Sequence, residues 1–191
     1  ITNILPFVVL LIWSYASTLT RKIKRKGIEK VKTAHVKDLF SKSKYPSVSI
    51  ILPCYNEGMH IGRAVRGGFR QLYPGNLEII IVDDGSVDNT YSIGKIFKMS
   101  SDNRSVKVIH KKNGGKASAL KLGIEKASGD IIVMTDGDSD MDKNAVSNIV
   151  KTFRDYPDAA IVGGFVSVEN ISSGYLTVLQ QLEYIITQHL I

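Results

Sequence analysis

Apolar positions along the chain fall into two regimes. From 4 to 19 they run almost unbroken (ILPFVVLLIWSYASTL), whereas from 45 onward short β-branched runs alternate with longer stretches in which apolar residues recur at helical spacing. The short runs at 48–52 (VSIIL), 77–82 (LEIIIV), 105–109 (SVKVI) and 131–134 (IIVM) predict strands, and the stretches 59–72, 90–99, 117–127 and 143–153 predict helices. That alternation is the pattern of an α/β domain with a mainly parallel sheet. A fifth apolar run, 159–162, follows the turn at Pro157. In 175–191, Leu176, Leu179, Leu182, Ile185, Ile186 and Leu190 recur at helical spacing, which predicts an amphipathic helix.

Charge changes the picture at the N-terminal end. The net +7 is local: 21–44 carries ten Lys/Arg against Glu29 and Asp38, or +8, and the remaining 15 basic and 16 acidic residues sum to −1. A nucleic-acid surface is therefore not expected, since no basic or aromatic stripe continues past 44. An apolar run followed by Trp13 and Tyr15 and then by Arg21, Lys22, Lys24, Arg25 and Lys26 has instead the order of a membrane helix end, an interfacial aromatic pair and a cytoplasmic basic flank. A spanning helix needs about 20 apolar residues. The shorter run here, and a chain opening on Ile1, lead us to expect residues upstream. The expected organisation is a partial transmembrane helix at 1–20, a basic juxtamembrane linker at 21–44, the α/β domain at 45–170 and an amphipathic helix at 171–191. One cysteine and four histidines without paired spacing exclude a disulfide scaffold and a zinc finger.

In a parallel α/β sheet, ligands bind beyond the carboxyl ends of the strands. Here those ends read Pro53-Cys54-Tyr55-Asn56-Glu57-Gly58, Asp83-Asp84-Gly85-Ser86, Asn113-Gly114-Gly115-Lys116 and Asp136-Gly137-Asp138. The first lacks the G-x-G-x-x-G of a dinucleotide site. The third is not a Walker A loop, because His110 stands where its first glycine belongs and Ala117 replaces its Ser/Thr. Carboxylates crowded at strand ends repel one another unless water or a cation offsets them. Asp136 and Asp138 would offer two hard oxygen ligands to Mg2+ or Mn2+, leaving positions open for phosphate. A turn built from Asp and Gly for its backbone shape alone is the competing reading of that triplet.

PSVSIILPCYNEG, IIIVDDGSVDNT, NGGKASALKLGIEKASGDIIVMTDGDSD and GGFVSVEN, in that order over roughly 47–170, resemble the successive motifs of the family 2 glycosyltransferases. Within that family the N-x-G-K-x-x-A-L form and the flanking apolar run resemble the processive membrane polysaccharide synthases, of the hyaluronan, cellulose and poly-N-acetylglucosamine type. The resemblance implies a GT-A, Rossmann-like nucleotide-sugar fold and inverting transfer from a UDP-sugar to a glycan or lipid-linked acceptor, with Mn2+ or Mg2+ as cofactor. The apolar run and its basic flank lead us to expect the plasma membrane, with the catalytic domain cytoplasmic. The resemblance assigns Pro53, Tyr55 and Glu57 to the nucleoside pocket, Asp83 and Asp84 to uracil or ribose with Asp84 preferred, Lys116 to the diphosphate, Asp136 to nucleotide sugar and metal, and Asp138 to the metal.

No catalytic base is assigned. In the family it is an Asp in a Thr-Glu-Asp-like motif followed by a Gln/Arg/Trp segment. Neither occurs up to Ile191, and Glu169 and Glu183 stand in no such motif, so the chain is expected to be the donor half of a longer enzyme. Residue by residue, Cys54 reads as a small buried hydrophobe, Asp140 and Asp142 as helix N-terminal acids, and one of Asp83 and Asp84 as a possible helix cap. Three other classes fit parts of the pattern. A dolichyl-phosphate sugar transferase shares the motifs but usually continues the D-x-D differently. A nucleotidyl or sugar-phosphate transferase would need a Gly/Arg/Lys-rich loop after the first strand, which PCYNEG lacks. A non-catalytic membrane-attached binding module would suit the absent base and the +8 segment.

Overall fold

A computed structural model describes residues 34–167 and 174–189. The chain divides into two compact units, one of Thr33–Val162 and one that includes Gly163–Ile191; each is described by itself. Residues 1–33, which hold the apolar run and most of the basic segment, lie outside the described residues. No helix among the described residues is long and apolar enough to cross a membrane.

The first unit contains strands β1 (Val48–Cys54), β2 (Leu77–Asp83), β3 (Met99–Ser100), β4 (Arg104–His110) and β5 (Ile131–Met134), paired in the order β3-β4-β2-β1-β5. Every pairing is parallel except that of β3 with β4. Central strands of a parallel sheet are covered on both faces and so read as unbroken apolar runs. β1 and β2 behave in this way, with every residue buried. At the β5 edge, Ile131 and Val133 are buried while Ile132 and Met134 are exposed.

Helices α1 (Ala34–Lys42), α2 (Ile61–Phe69), α3 (Thr90–Ile96), α4 (Lys116–Lys126) and α5 (Ala145–Asp155) complete this unit. One core joins Ile50, Leu52, Ile79 and Ile81 of the sheet to Ile61 and Val65 of α2 and to Val146 and Val150 of α5. A second, smaller core joins Ile80 and Val82 to Ala119 of α4. The alternation of odd and even positions along β2 therefore divides the strand between two cores, as its two-residue period requires.

Four local features depart from the sequence pattern. Residues 34–42 are a helix, not part of a linker; Leu39 and Phe40 pack against the main core, and the Arg154 guanidinium lies 5.2 Å from the Phe40 ring centroid. Val36, Leu39 and Phe40 do stand at helical spacing, but the run is short and lies inside the basic segment. Helix α2 stops at Phe69 because the Gln71 side chain donates to Gly67 O (3.1 Å) and Asp142 O (2.7 Å), while Leu72 N turns to Lys143 O (2.7 Å). The predicted 90–99 helix ends early, and Met99–Ser100 pairs instead with Val106 and Ser105 as a two-residue edge. The apolar run at 159–162 forms no strand, and Ile161 is 87% exposed.

In the second unit, α6 (Tyr175–His189) is the helix that the spacing predicts. Its first turn is anchored on Gly174 O, which accepts from Thr177 Oγ1 at 2.6 Å and from Val178 N at 3.3 Å.

Candidate functional site

Register assembles the site. Cys54 is level with Asp83, and Asp83 with His110, so β1, β2 and β4 end in one row. Strand β5 ends with Met134 opposite Ile51, which carries Asp136-Gly137-Asp138 onward beside the last residues of β1. A cleft of about 250 Å³ opens there, and Pro53, Tyr55, Glu57, Asp84, Lys116, Asp136 and Asp138 all line it. Of the residues expected from sequence, Asp83 alone is missing from that lining.

The loop after β1 is laced to the loop after β2. Asn56 N donates to Ser86 Oγ (2.9 Å), Val87 N to Asn56 Oδ1 (3.0 Å), Glu57 N to Thr90 Oγ1 (2.7 Å) and Gly58 N to Asp88 Oδ2 (3.0 Å). Asn56 has φ 56°, a left-handed conformation that Asn tolerates better than most residues. Asp88 Oδ1 also accepts from Thr90 N (2.9 Å) and Thr90 Oγ1 (2.5 Å), and the Thr90 hydroxyl holds this carboxyl below its ordinary range. Asp88 thus caps the start of α3, the role that sequence offered to Asp83 or Asp84.

Asp83 is fully buried behind the cleft. Its Oδ2 lies 2.5 Å from His110 Nδ1, its Oδ1 accepts from Ser86 N at 3.3 Å, and its carbonyl accepts from Lys111 N at 3.0 Å. It ties β2 to β4. Asp84 is buried on the cleft side, and its oxygens accept from Gly114 N (3.0 and 3.3 Å), Gly115 N (2.7 Å) and Lys111 Nζ. Burial alone would raise its pKa, but Lys111 and the two glycine amides outweigh it and hold the carboxyl below its ordinary range. Three donors thus orient the carboxylate to which the resemblance assigns the nucleobase. Paired in this way, Lys111 is only 19% exposed at its side chain.

The D-x-D turn is seated by its glycine. A Cβ on Gly137 would fall 2.8 Å from Cys54 Sγ and 3.4 Å from Pro53 O, so only glycine lets the turn lie this close to β1. Cys54 is buried and donates to Leu52 O at 3.3 Å; burial, with Glu57, Asp83, Asp136 and Asp138 nearby, pushes its thiol up to about 12. It is the inert small residue expected. Burial and then the charge of Asp138 raise Glu57, with Asp88 and Asp136 adding to the effect against the opposing His60. Beyond the triplet, Asp142 Oδ1 accepts from Asn144 N (2.8 Å) at the entry to α5, as expected, but Asp140 instead pairs with Arg63 of α2 (3.2 Å) and with Arg70 just past its end (4.0 Å).

Lys116 opens α4 after Gly115, whose φ of 85° needs glycine for its backbone alone, since nothing would obstruct a Cβ there. The Lys116 ammonium reaches Asp136 Oδ1 at 2.6 Å across the cleft. The first-turn amides of a helix have no intrahelical acceptor and suit an anion.

A hard divalent cation fits the chemistry of this donor set. The carboxylates of Glu57, Asp136 and Asp138 create a negative field strong enough to raise their neighbours' proton affinity, and a cation would relieve it. Among the described residues no three His, Cys, Asp or Glu converge as a ready cage. Asp136 and Asp138 would hold the ion and leave its other positions to phosphate and water, as Mg2+ commonly requires. Glu169 lies outside the described residues, and Glu183 is on α6 of the other unit. Sequence missed Asn56, Ser86, Thr90 and Lys111; their signal was polar residues placed between strand end and helix start, where loops must satisfy each other's backbone.

Comparison with known proteins gives a consistent result. A model of glycosyl transferase family 2 matches residues 49–188. The chain is 33% identical over 129 residues to the glycosyltransferase GlyG of Streptococcus pneumoniae, covering 67% of this chain and 42% of that protein. It is 34% identical over 137 residues to the poly-beta-1,6-N-acetyl-D-glucosamine synthase of Staphylococcus aureus, covering 72% of this chain and 32% of that one. It thus spans less than half the length of these relatives. The mannosyltransferase PcManGT of Pyrobaculum calidifontis, solved with GDP-Man and Mn2+, superposes with a TM-score of 0.56 at 23% identity over 90% of this chain and 48% of that one. S. aureus TarS 1–349 with UDP-GlcNAc superposes with a TM-score of 0.51 at 23% identity over 57% and 31%. The α/β fold is the GT-A-like one of these structures, with a mixed, mostly parallel sheet.

Proposed function

The chain belongs to glycosyl transferase family 2, and from that premise we propose that it binds a UDP-sugar with Mn2+ or Mg2+ for inverting transfer to a growing polysaccharide or glycan acceptor. The observation that carries this is the meeting in one cleft of the D-x-D carboxylates, the Lys116 end of α4 and the β1 end at Pro53 and Tyr55. Tyr55, 49% exposed, and Pro53 face the nucleoside; Lys116 with the α4 amides faces the diphosphate; Asp136 and Asp138 hold the cation. When bound, the ion neutralises charge on the leaving diphosphate. The UDP-GlcNAc bound to TarS and the name of the S. aureus synthase make UDP-N-acetylglucosamine the first donor to test.

Inverting transfer also needs a carboxylate to take the acceptor's proton. The family's Thr-Glu-Asp-like segment is not among these 191 residues, so by themselves they hold the donor and transfer little sugar. The apolar run at 4–19 and the +8 of 21–44 support attachment to the plasma membrane with the α/β unit on its cytoplasmic side. Competition between UDP-GlcNAc, UDP and GDP in the presence of Mn2+ tests the donor class. UDP and UDP-GlcNAc should displace one another, and GDP should compete weakly; equal or better binding of GDP would reject a uridine donor.

A further inference from the structure

Asp140 follows the D-x-D turn by two residues, yet it does not line the cleft. Its carboxylate turns to α2 instead: Oδ2 accepts from Arg63 Nε at 3.2 Å, and Oδ1 lies 4.0 Å from Arg70 Nη2. With side chains 44% and 33% exposed, the Arg63 pair alone would hold the segment weakly. Its seat is more restrictive. Gly67 is buried on α2, and a Cβ there would fall 2.7 Å from Asp140 Oδ1 and 3.3 Å from Met141 N. Met141 packs against the main core, and the buried Gln71 amide donates to Asp142 O at 2.7 Å. The exit of the turn is thus pressed onto a helix face that is bare at the point of contact. Its entry is fixed separately, where Thr135 N donates to Ile51 O at 3.2 Å. Asp138 stands between these two anchors.

Resting on the metal site proposed above, we infer that Asp140 is a positioning residue for Asp138. Drawn onto α2 by Arg63 and seated on Gly67, it fixes the exit of the turn and keeps the third carboxylate of the 136, 138 and 140 series off the ion. Carboxylates at alternate positions of one loop would otherwise compete for a divalent cation, and a guanidinium is the partner that commits one of them to the protein. A turn released at its exit has to be ordered when the ion binds, and that cost falls only on the metal-dependent part of UDP binding.

UDP is titrated calorimetrically, with Mn2+ and again with chelator, into the wild-type chain, Asp140→Ala, Asp140→Asn and Gly67→Ala. With no ligand present, amide hydrogen exchange is followed at Ser139, whose N donates to Asp136 O at 3.2 Å. In Asp140→Ala and Gly67→Ala the advantage that Mn2+ gives to UDP binding should shrink about tenfold, the scale of one lost charge-assisted contact, while metal-free affinity stays within about twofold. Both should lose protection at Ser139. Asp140→Asn keeps an acceptor for Arg63 Nε and should retain most of the Mn2+ advantage. An Mn2+ advantage lost in Asp140→Asn but kept in Gly67→Ala would make Asp140 an ion ligand and overturn the inference. So would an Mn2+ advantage of wild-type size in Asp140→Ala or, should that variant not fold, in Gly67→Ala, which keeps every carboxylate and adds a better helix former. Wild-type protein that binds no UDP would reject the donor reading itself, and exchange at Ser139 would still decide whether Asp140 holds the turn.

Discussion

Lys116 Nζ lies 2.6 Å from Asp136 Oδ1, so the ammonium that opens α4 and the first carboxylate of the D-x-D turn satisfy each other across the cleft. Both side chains are more than half exposed, and such a pair contributes little to stability. Its consequence is for binding. A diphosphate would take the ammonium and a divalent ion the carboxylate, so each ligand releases the group that the other needs.

Replacing the lysine separates these roles. In Lys116→Met, UDP affinity measured with Mn2+ should fall about tenfold, the scale of a lost charge-assisted contact, and Mn2+ alone should bind at least as well as to wild type. Loss of Mn2+ binding together with UDP binding would show that the lysine supports the ion site and does not compete with it.

Asp138→Asn keeps the shape of the turn and removes one charge. The Mn2+-dependent part of UDP binding should disappear, and the weak metal-free part should remain. A variant that retains the full Mn2+ effect would exclude Asp138 from the ion's ligands.

The contact beneath the turn gives a third test. Gly137→Ala must displace either the turn or Cys54 and should cost about 1–3 kcal/mol in urea unfolding, as overpacking does. Adding Cys54→Ala should recover part of that loss. Strict additivity of the two changes would mean that the sulfur is not what requires glycine at 137. With its pKa raised to about 12, the wild-type thiol should resist alkylation at pH 8 until the protein unfolds.

The frame of the domain was legible because the central parallel strands are apolar throughout and their neighbours still carry β-branched runs. The four predicted strands correspond to β1, β2, β4 and β5 within a residue or two. That the D-x-D triplet, Lys116, Pro53, Tyr55 and Glu57 gather in one cleft was legible because they follow the carboxyl ends of strands in a parallel sheet. Asp83 and Asp84 were harder: adjacent residues at a strand end point in opposite directions, and only the register with His110 shows which one turns away from the cleft. The pairing of Lys111 with Asp84 joins residues 27 positions apart and leaves no local spacing to detect. Helix α1 was passed over because its one short apolar set, Val36, Leu39 and Phe40, sits within the basic segment.

Away from the cleft, Glu78 should govern acid stability. Burial opposes its ionisation, but Lys107 (2.6 Å), Ser49 Oγ (2.5 Å), Ser128 N (2.5 Å) and Ser128 Oγ (2.9 Å) outweigh it and bring the carboxyl to about 2 from an ordinary 4.5. A carboxyl with a lowered folded pKa stabilises fully above 4.5 and loses that contribution as pH falls toward 2. Unfolding free energy should therefore decline between pH 4.5 and 2 in wild type and decline less in Glu78→Gln. At pH 7 the variant should be about 2–4 kcal/mol less stable, the cost of breaking a buried network. Parallel pH profiles for the two proteins would contradict this assignment.

Calorimetric titration of UDP into the folded wild-type chain, with Mn2+ and again with the metal removed by chelator, tests the donor site most directly. The donor site proposed at Asp136, Asp138 and Lys116 predicts saturable binding of UDP that depends on Mn2+. Binding of equal strength without the metal, or no binding by a sample shown to be folded, would contradict it.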